Sequence, residues 1–267
     1  MGIKTPFISE IAPKTYAINE FGLTAMFLLK GTERSLLIDT GCGVCELKEL
    51  ADSLAGGPYD VVLTHGHLDH AGGCGAFDKI YLNEKDFHMV EEISREALMD
   101  YCDTLGRSGG YDVYDYEPSM VKGIAKMPEM INIKEGDVFH LGDRDISVFE
   151  TPGHTRGSIV LLDRKNRIIF TGDACNPNTL LLQGTPETLL ASAKKIKSLE
   201  SFFDQNFNGH IGYAGVPTCL SMPDSVTDDV IHICEMIISG EAEPVEAPFL
   251  GGVRKGVNYG SARVVYD

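Results

Sequence analysis

The sequence has no run of 18 or more apolar residues, and residues 1–16 lack the apolar stretch of a secretory signal. The first absence argues against a transmembrane helix, which needs about 20 predominantly apolar residues. The second predicts a protein that is not exported, so we expect it in the cytoplasm.

Basic residues are scarce as well. Lysine and arginine number 23 against 39 aspartates and glutamates, which gives a formal net charge of −16. An excess of negative charge repels phosphate backbones and anionic lipid headgroups. The sequence therefore predicts a small-molecule substrate rather than nucleic acid or a membrane as the partner, and it contains no signal for an oligomeric state.

A dense disulfide framework is also missing, because the seven cysteines are odd in number and scattered along the chain. Small stapled domains have a closer pattern, so we expect reduced thiols. One pair stands apart, in CGVC at residues 42–45. It lies at the predicted start of a helix, where a lowered thiol pKa would suit a redox dithiol, and this remains an alternative function.

The chain does contain an alternation of short strands and amphipathic helices. Apolar or alternating stretches predict strands at residues 15–19, 24–30, 34–40, 59–64 and 79–83, and five more between 131 and 171. Helical spacing predicts helices at residues 44–55, 84 to about 104, 185–203 and 224–239. This order predicts one α+β domain over residues 1–267, with two packed sheets, helices outside them and a helical and loop insertion at about 84–130.

The stretch THGHLDHAGG follows a predicted strand and holds three of the eight histidines. Clustered histidines repel one another when protonated, whereas neutral imidazole is a common metal ligand. In extended backbone His65 and His67 point to the same side and can share one ion. If a helix begins near Leu68, then Asp69 and His70 point elsewhere, toward a second ion.

Three further metal-competent side chains have a common context. His154, Asp173 and His210 each follow an apolar strand-like segment and a glycine. Ligands at the ends of neighbouring strands converge on one rim of a sheet, and glycine allows close approach of the backbone. His154 would complete the first site and His210 the second, while Asp173 could bridge two ions about 3.5–4 Å apart.

Together these motifs resemble the metallo-β-lactamase superfamily. The ligand order and approximate spacing match, and LIDTG at residues 37–41 is similar to the family's early aspartate motif. The resemblance covers about residues 15–215 and implies a four-layer αββα sandwich with a dinuclear centre, usually zinc, on its rim. It also implies that Asp39 braces the metal loop and that there are seven ligands: His65, His67, Asp69, His70, His154, Asp173 and His210.

Departures from individual branches narrow the implied function. The best-known lactamase subclass has a cysteine at the place of Asp173, and the diiron flavoproteins have a carboxylate at the place of His67. The glyoxalase II, lactonase and arylsulfatase branches share all seven ligands, although Arg254 and Lys255 do not map onto the glutathione-binding motif of glyoxalase II. The resemblance therefore implies hydrolysis of a small ester, thioester or lactone. A phosphodiesterase or nuclease of the same superfamily is an alternative that the negative charge disfavours.

The expected mechanism uses two cations. They would lower the pKa of a bridging water from 15.7 toward about 7, so that hydroxide attacks the substrate carbonyl. Asp69, besides binding metal, would orient this nucleophile or pass a proton, which makes it the predicted catalytic residue. Imidazoles and carboxylates without a thiolate favour zinc, with iron or manganese as alternatives.

Two further hypotheses concern the surroundings of this centre. Tyr111, Tyr114 and Tyr116 fall in an irregular segment, residues 106–120, which we interpret as a lid whose tyrosines contact substrate. A metal sensor or scaffold that hydrolyses nothing is a separate alternative, and the room left for a bridging water favours the enzyme over it.

Overall fold

The computed structural model describes residues 6–20, 22, 24–105, 117–210, 220–249 and 252–267. Its largest sheet has seven strands, each hydrogen-bonded to the next in chain order. The first four strands are antiparallel neighbours, and the last four run parallel. The strands are β1 (Phe7–Ala12), β2 (Thr15–Glu20), β3 (Thr24–Lys30), β4 (Ser35–Ile38), β5 (Tyr59–Val62), β6 (Lys79–Leu82) and β7 (Glu129–Asn132).

The second sheet has five strands in the order β13-β11-β10-β9-β8. Because β10 is antiparallel to both β9 and β11, and β13 is parallel to β11, three of the five strands end at the same edge. The strands are β8 (Val138–His140), β9 (Asp145–Glu150), β10 (Ile159–Asp163), β11 (Ile168–Gly172) and β13 (Gln205–Asn208).

The central strands are apolar on both faces because both faces are covered. In β10, Ile159 and Leu161 enter the core between the two sheets, while Val160 and Leu162 face the helices outside. Three buried rings fill the centre of the inter-sheet core: Phe27, Phe170 and Phe207.

Helices cover the outer face of each sheet. Apolar residues of α1, α3 and α4 pack on the first sheet, and those of α5 and α6 pack on the second. The helices are α1 (Leu47–Ala55), α2 (Leu68–Ala71), α3 (Phe87–Glu91), α4 (Arg95–Leu105), α5 (Pro186–Ser198) and α6 (Val226–Ser239). The layers are thus helix, sheet, sheet and helix, which confirms the predicted αββα sandwich. None of the described helices is both long and apolar enough to cross a membrane.

The structure corrects the predicted long helix at 84–104. This stretch is a 3₁₀ turn at Glu84–Asp86 followed by α3 and α4. A new helix begins after Ser94, whose hydroxyl accepts a hydrogen bond from the Ala97 N–H at 3.1 Å, as an N-cap residue does. At α5, by contrast, Thr185 caps the helix and Pro186 is its first residue.

A third sheet lies beyond the predicted sandwich. Its order is β12-β16-β15-β14, and it packs against α6 through Val257, Ala262 and Val264. The strands are β12 (Asn178–Leu180), β14 (Val245–Phe249), β15 (Gly252–Tyr259) and β16 (Ala262–Tyr266). β14 and β15 are largely exposed, so they lack the apolar pattern that identifies buried strands.

Candidate metal centre

The seven predicted ligands meet at one edge of the sandwich, just past the ends of β5, β9, β11 and β13. Close packing at this edge depends on a small residue at position 209. A Cβ on Gly209 would lie 2.3 Å from Cε1 of His70, so a larger residue would push β13 away from the centre. Glycine therefore lets the His210 segment approach the other ligands.

The ligands form two halves. In each half, three potential ligand atoms lie within 4.8 Å of one another. The members of the imidazole half are His65, His67 and His154. The members of the carboxylate half are Asp69, His70 and His210. The division arises because α2 begins directly after His67 and carries Asp69 and His70.

Asp173 lies between the two halves. Its Oδ2 is 3.5 Å from Nε2 of His154, on one side, and 2.9 Å from Nε2 of His210, on the other. The same oxygen is 3.7 Å from Nε2 of His70. Asp173 also forms a third group with His65 and His70, whose potential ligand atoms all lie within 4.8 Å of one another, so it is placed where two neighbouring sites could share it.

The imidazole half is held neutral. Burial, reinforced by the neighbouring imidazoles, lowers the pKa of His65 well below its usual value, and burial with His154 nearby lowers that of His67 to about 3. Burial lowers the pKa of His154 too. The Nδ1 of His154 lies 2.8 Å from the carbonyl oxygen of Leu180, which can only accept, so Nε2 is the nitrogen without a proton, and it lies 2.8 Å from Nδ1 of His67.

The carboxylate half has the opposite electrostatics. Burial opposes protonation of His70, but the carboxylates of Asp69, Asp173 and Asp39 outweigh it and raise the pKa of His70 well above its usual value. Asp173 and Asp69 likewise overcome burial and raise the pKa of His210. This half concentrates negative charge and attracts a cation.

Asp39 lies behind the carboxylate half and contacts its loop. Its buried carboxylate accepts hydrogen bonds from the Thr64 N–H at 2.7 Å and from Nδ1 of His70 at 2.9 Å. Donation from Nδ1 leaves Nε2 of His70 as the ligand atom, which is the usual arrangement behind a metal-binding histidine. Asp39 itself has φ of +61°, a strained conformation that its hydrogen bonds fix in place.

Three ligand atoms are buried without a hydrogen-bond partner among the described residues: Nε2 of His65, Nε2 of His70 and Oδ1 of Asp173. Buried polar atoms are almost always satisfied, and an orphaned group costs about 1–3 kcal/mol. Bare nitrogens and a carboxylate oxygen facing one small space are a fitting donor set for metal ions such as zinc.

Asp86 is a residue of this centre that sequence reasoning missed. Its buried carboxylate accepts hydrogen bonds from the Gly66 N–H at 3.1 Å, the Thr155 hydroxyl at 2.6 Å and the Gly157 N–H at 2.8 Å. It therefore ties the loop of His65 and His67 to the loop of His154. The only sequence signal was an acidic residue within a stretch predicted as helix.

Tyr101, on α4, was also missed. Its hydroxyl donates a 2.5 Å hydrogen bond to Oδ2 of Asp69. Both side chains line a cavity of about 280 Å³ that opens from the ligand cluster toward the third sheet. The predicted contacts of Tyr111, Tyr114 and Tyr116 lie outside the described residues.

The CGVC segment has an environment opposite to that expected of a redox dithiol. The backbone N–H groups of Cys42 and Cys45 donate to the buried carboxylate of Glu20, and α1 begins only at Leu47. A hydrogen bond with Cys102 and burial raise the pKa of Cys42 well above its usual value, and burial with Glu20 nearby does the same for Cys45. These thiols are held protonated, which argues against the redox alternative.

Comparison with known proteins agrees with the fold. Residues 19–200 match the metallo-beta-lactamase superfamily, and the chain belongs to that family. Among solved structures, a metallo-beta-lactamase family protein from Thermus thermophilus superposes with a TM-score of 0.59 at 18% identity, over 88% of this chain and 85% of that one. This likeness shows the fold alone.

Among curated proteins, the chain is similar to the acyl-coenzyme A thioesterase MBLAC2 of Bos taurus. The two are 29% identical over 177 residues, which cover 58% of this chain and 60% of that protein. A hydroxyacylglutathione hydrolase, GloC of Haemophilus influenzae, is 25% identical over 69% of this chain and 82% of its own length. The chain thus spans about 60% of the thioesterase it matches, and the relatives support a hydrolase.

Proposed function

We propose that this protein is a dinuclear-metal-dependent hydrolase of a small-molecule thioester. The observation that carries the proposal is the meeting of seven ligand side chains in overlapping groups, with three orphaned ligand atoms, at the base of a cavity. Two relatives named as hydrolases of thioesters support this substrate class over simple esters and lactones.

The imidazole half would hold one cation and the carboxylate half the other, with Asp173 shared. Zinc is the metal we propose, and iron or manganese would suit the same donors. When bound, such ions supply a water nucleophile at neutral pH and polarise the substrate carbonyl. Hydrolysis forms a C–O bond, breaks the C–S bond and leaves a carboxylate and a thiol, with one proton of the water passing to the thiolate and the other released to solvent.

The side chains around the cations have distinct tasks. Asp69 faces the cavity and, besides binding metal, would orient the attacking water and take up its proton. Tyr101 fixes the Asp69 carboxylate through its hydroxyl. Asp39 and Asp86 hold the two ligand loops in position.

The test is a panel of acyl thioesters, lactones, aryl esters and phosphodiesters assayed with and without a chelator, together with elemental analysis of protein purified without added metal. We expect chelator-sensitive thioester hydrolysis, about two metal equivalents per chain and much slower turnover by the Asp69→Asn variant. If that variant turned over substrate at the wild-type rate, Asp69 would have no role in orienting the water or taking up its proton. Absence of chelator-sensitive turnover on all four classes would contradict the proposal and favour a metal-binding role.

A further inference from the structure

The cavity beside the metal centre has two kinds of wall. One wall is formed by the ligand cluster and Tyr101, and the other by the third sheet and the segment that leads into it. Six apolar side chains line the cavity: Leu68, Leu180, Leu182, Pro248, Phe249 and Val265. A volume of about 280 Å³ lies at the lower end for ligand pockets, which suits a short acyl group rather than a long chain.

Arg263, on β16, is the one lysine or arginine among the described residues that line this cavity. Its strand pairs with β12, where Asn178 is its partner residue and also lines the cavity. β12 in turn reaches the metal centre, because the Leu180 carbonyl binds His154. The guanidinium is thus built into the frame that positions the imidazole half.

The hydrogen-bonding capacity of Arg263 is largely unused. Its Nε is buried without a partner among the described residues, and its Nη2 makes only a long 3.5 Å contact with the carbonyl oxygen of Glu246. No carboxylate within the described ranges forms an ion pair with it. A half-buried arginine with unpaired donors inside an apolar cavity is suited to a carboxylate or phosphate, which it can bind through two parallel hydrogen bonds.

The neighbouring backbone keeps this guanidinium in place. A Cβ on Gly256 of β15 would lie 2.9 Å from Nε of Arg263 and 3.1 Å from Nη2. Glycine at this position lets the guanidinium lie flat against the sheet and face the cavity. In a chain with a net charge of −16, such a local cation can offset the repulsion of an anionic substrate.

We propose that Arg263 is a specificity-determining residue that binds an anionic group of the substrate, so that the preferred substrate is a thioester with a short apolar acyl group and a carboxylate or phosphate. This inference rests on the proposed thioesterase function. The anion could belong to the acyl group or to the leaving thiol, and substrates that differ in one part alone separate these sources.

The first arm varies the acyl group on a neutral thiol, N-acetylcysteamine. It compares the glutaryl thioester with its carboxamide isostere, after subtraction of uncatalysed hydrolysis. The second arm keeps a butanoyl group and compares N-acetylcysteamine with glutathione and coenzyme A as leaving thiols. Variants Arg263→Gln and Arg263→Lys are measured beside Arg254→Gln, a matched control on β15 whose guanidinium pairs with Asp267.

We expect Arg263→Gln to lower kcat/KM for the anionic substrate by about 10- to 100-fold, the range of a charge-assisted hydrogen bond, with little change for the neutral one. Arg263→Lys should retain part of the preference, and Arg254→Gln all of it. A loss confined to the first arm places the anion on the acyl group, and a loss confined to the second places it on the thiol. Equal effects of Arg263→Gln on charged and neutral substrates in both arms would overturn the inference.

A binding measurement keeps this inference separate from the proposed function. Titration calorimetry with glutarate and glutaramate, on the protein as purified, should show tighter binding of glutarate in the wild type and loss of that difference in Arg263→Gln. If no thioester is hydrolysed but this difference persists, the thioesterase proposal fails and the anion site stands. If thioesters are hydrolysed but Arg263→Gln changes neither the preference for the anionic substrate in either arm nor the binding of glutarate, the anion site fails and the thioesterase stands.

Discussion

The two halves of the ligand cluster lie side by side, yet they prepare their ligand atoms in different ways. The imidazole half relies on burial, which lowers the pKa of its histidines and keeps each imidazole neutral, with one ring nitrogen unprotonated. The carboxylate half relies on charge, because Asp69 and Asp173 raise the pKa of the histidines they face. The first half is thus a neutral donor set and the second an anionic one, so the second should hold its cation more firmly.

The largest effect should come from removing the residue that joins the halves. In Asp173→Ala both sites lose a ligand, and we expect turnover to fall by about a thousandfold or more, since metal catalysis supplies several kcal/mol of transition-state stabilisation. Elemental analysis after dialysis should show metal loss from both sites. The matched variant His67→Ala, in the imidazole half alone, should lose close to one equivalent, and a loss of both would contradict the division into halves.

The next effect should come from Asp39, which supports the carboxylate half. In the wild type, the Thr64 N–H and Nδ1 of His70 both donate to the Asp39 carboxylate. The variant Asp39→Asn keeps one acceptor oxygen but places an NH₂ group, which is itself a donor, opposite one of these two donors. We expect metal affinity of the carboxylate half to fall by about 10- to 100-fold, as for other partners of metal-binding histidines. Competition with a chromophoric chelator measures this. A fall in the metal affinity of the imidazole half instead would show that Asp39 acts by stabilising the whole fold.

Asp86 provides the corresponding test for the imidazole half. Asp86→Asn would disturb the hydrogen bonds from Gly66, Thr155 and Gly157. We expect the metal affinity of the imidazole half to fall by about tenfold, the lower end of the range for residues that support metal ligands. Loss of a buried acceptor should also destabilise the fold by about 1–3 kcal/mol in chemical denaturation. Asp78→Asn is the control, because Asp78 is almost fully exposed and pairs only with Lys126 among the described residues. Equal effects of both variants on metal binding would remove the assigned role of Asp86.

The contrast between Asp39 and Asp86 also shows how far sequence reasoning reaches. Asp39 lies in LIDTG, a motif at the end of an apolar strand, and could be assigned a role from the sequence. Asp86 lies in an ordinary acidic stretch, and its role depends on partners 20, 69 and 71 residues away along the chain. No local pattern encodes such contacts, because they arise only when two loops from different sheets meet.

The same limit separates the ligand cluster from the cavity wall. The residues proposed as ligands could be named from the sequence because their segments follow predicted strands, and the apolar pattern of those strands also predicted the sandwich. Arg263 and Asn178 become neighbours only through the parallel pairing of β16 with β12, two short strands with little apolar periodicity. The wall of the cavity was therefore hidden from the sequence, whereas the cluster of metal-competent side chains was not.

The smallest effect should come from Tyr101, which contacts one ligand of the carboxylate half without being a ligand itself. Tyr101→Phe removes the 2.5 Å hydrogen bond to Asp69 but keeps the ring in the cavity wall. A single hydrogen bond to a charged group contributes about 1.5–3 kcal/mol at most, and water can replace part of it in an open cavity, so we expect kcat to fall by about 3- to 10-fold. KM and metal content should stay unchanged, because the hydroxyl positions Asp69 and does not hold a cation. A variant that loses metal, or that changes KM alone, would show instead that Tyr101 stabilises the carboxylate half or contacts substrate.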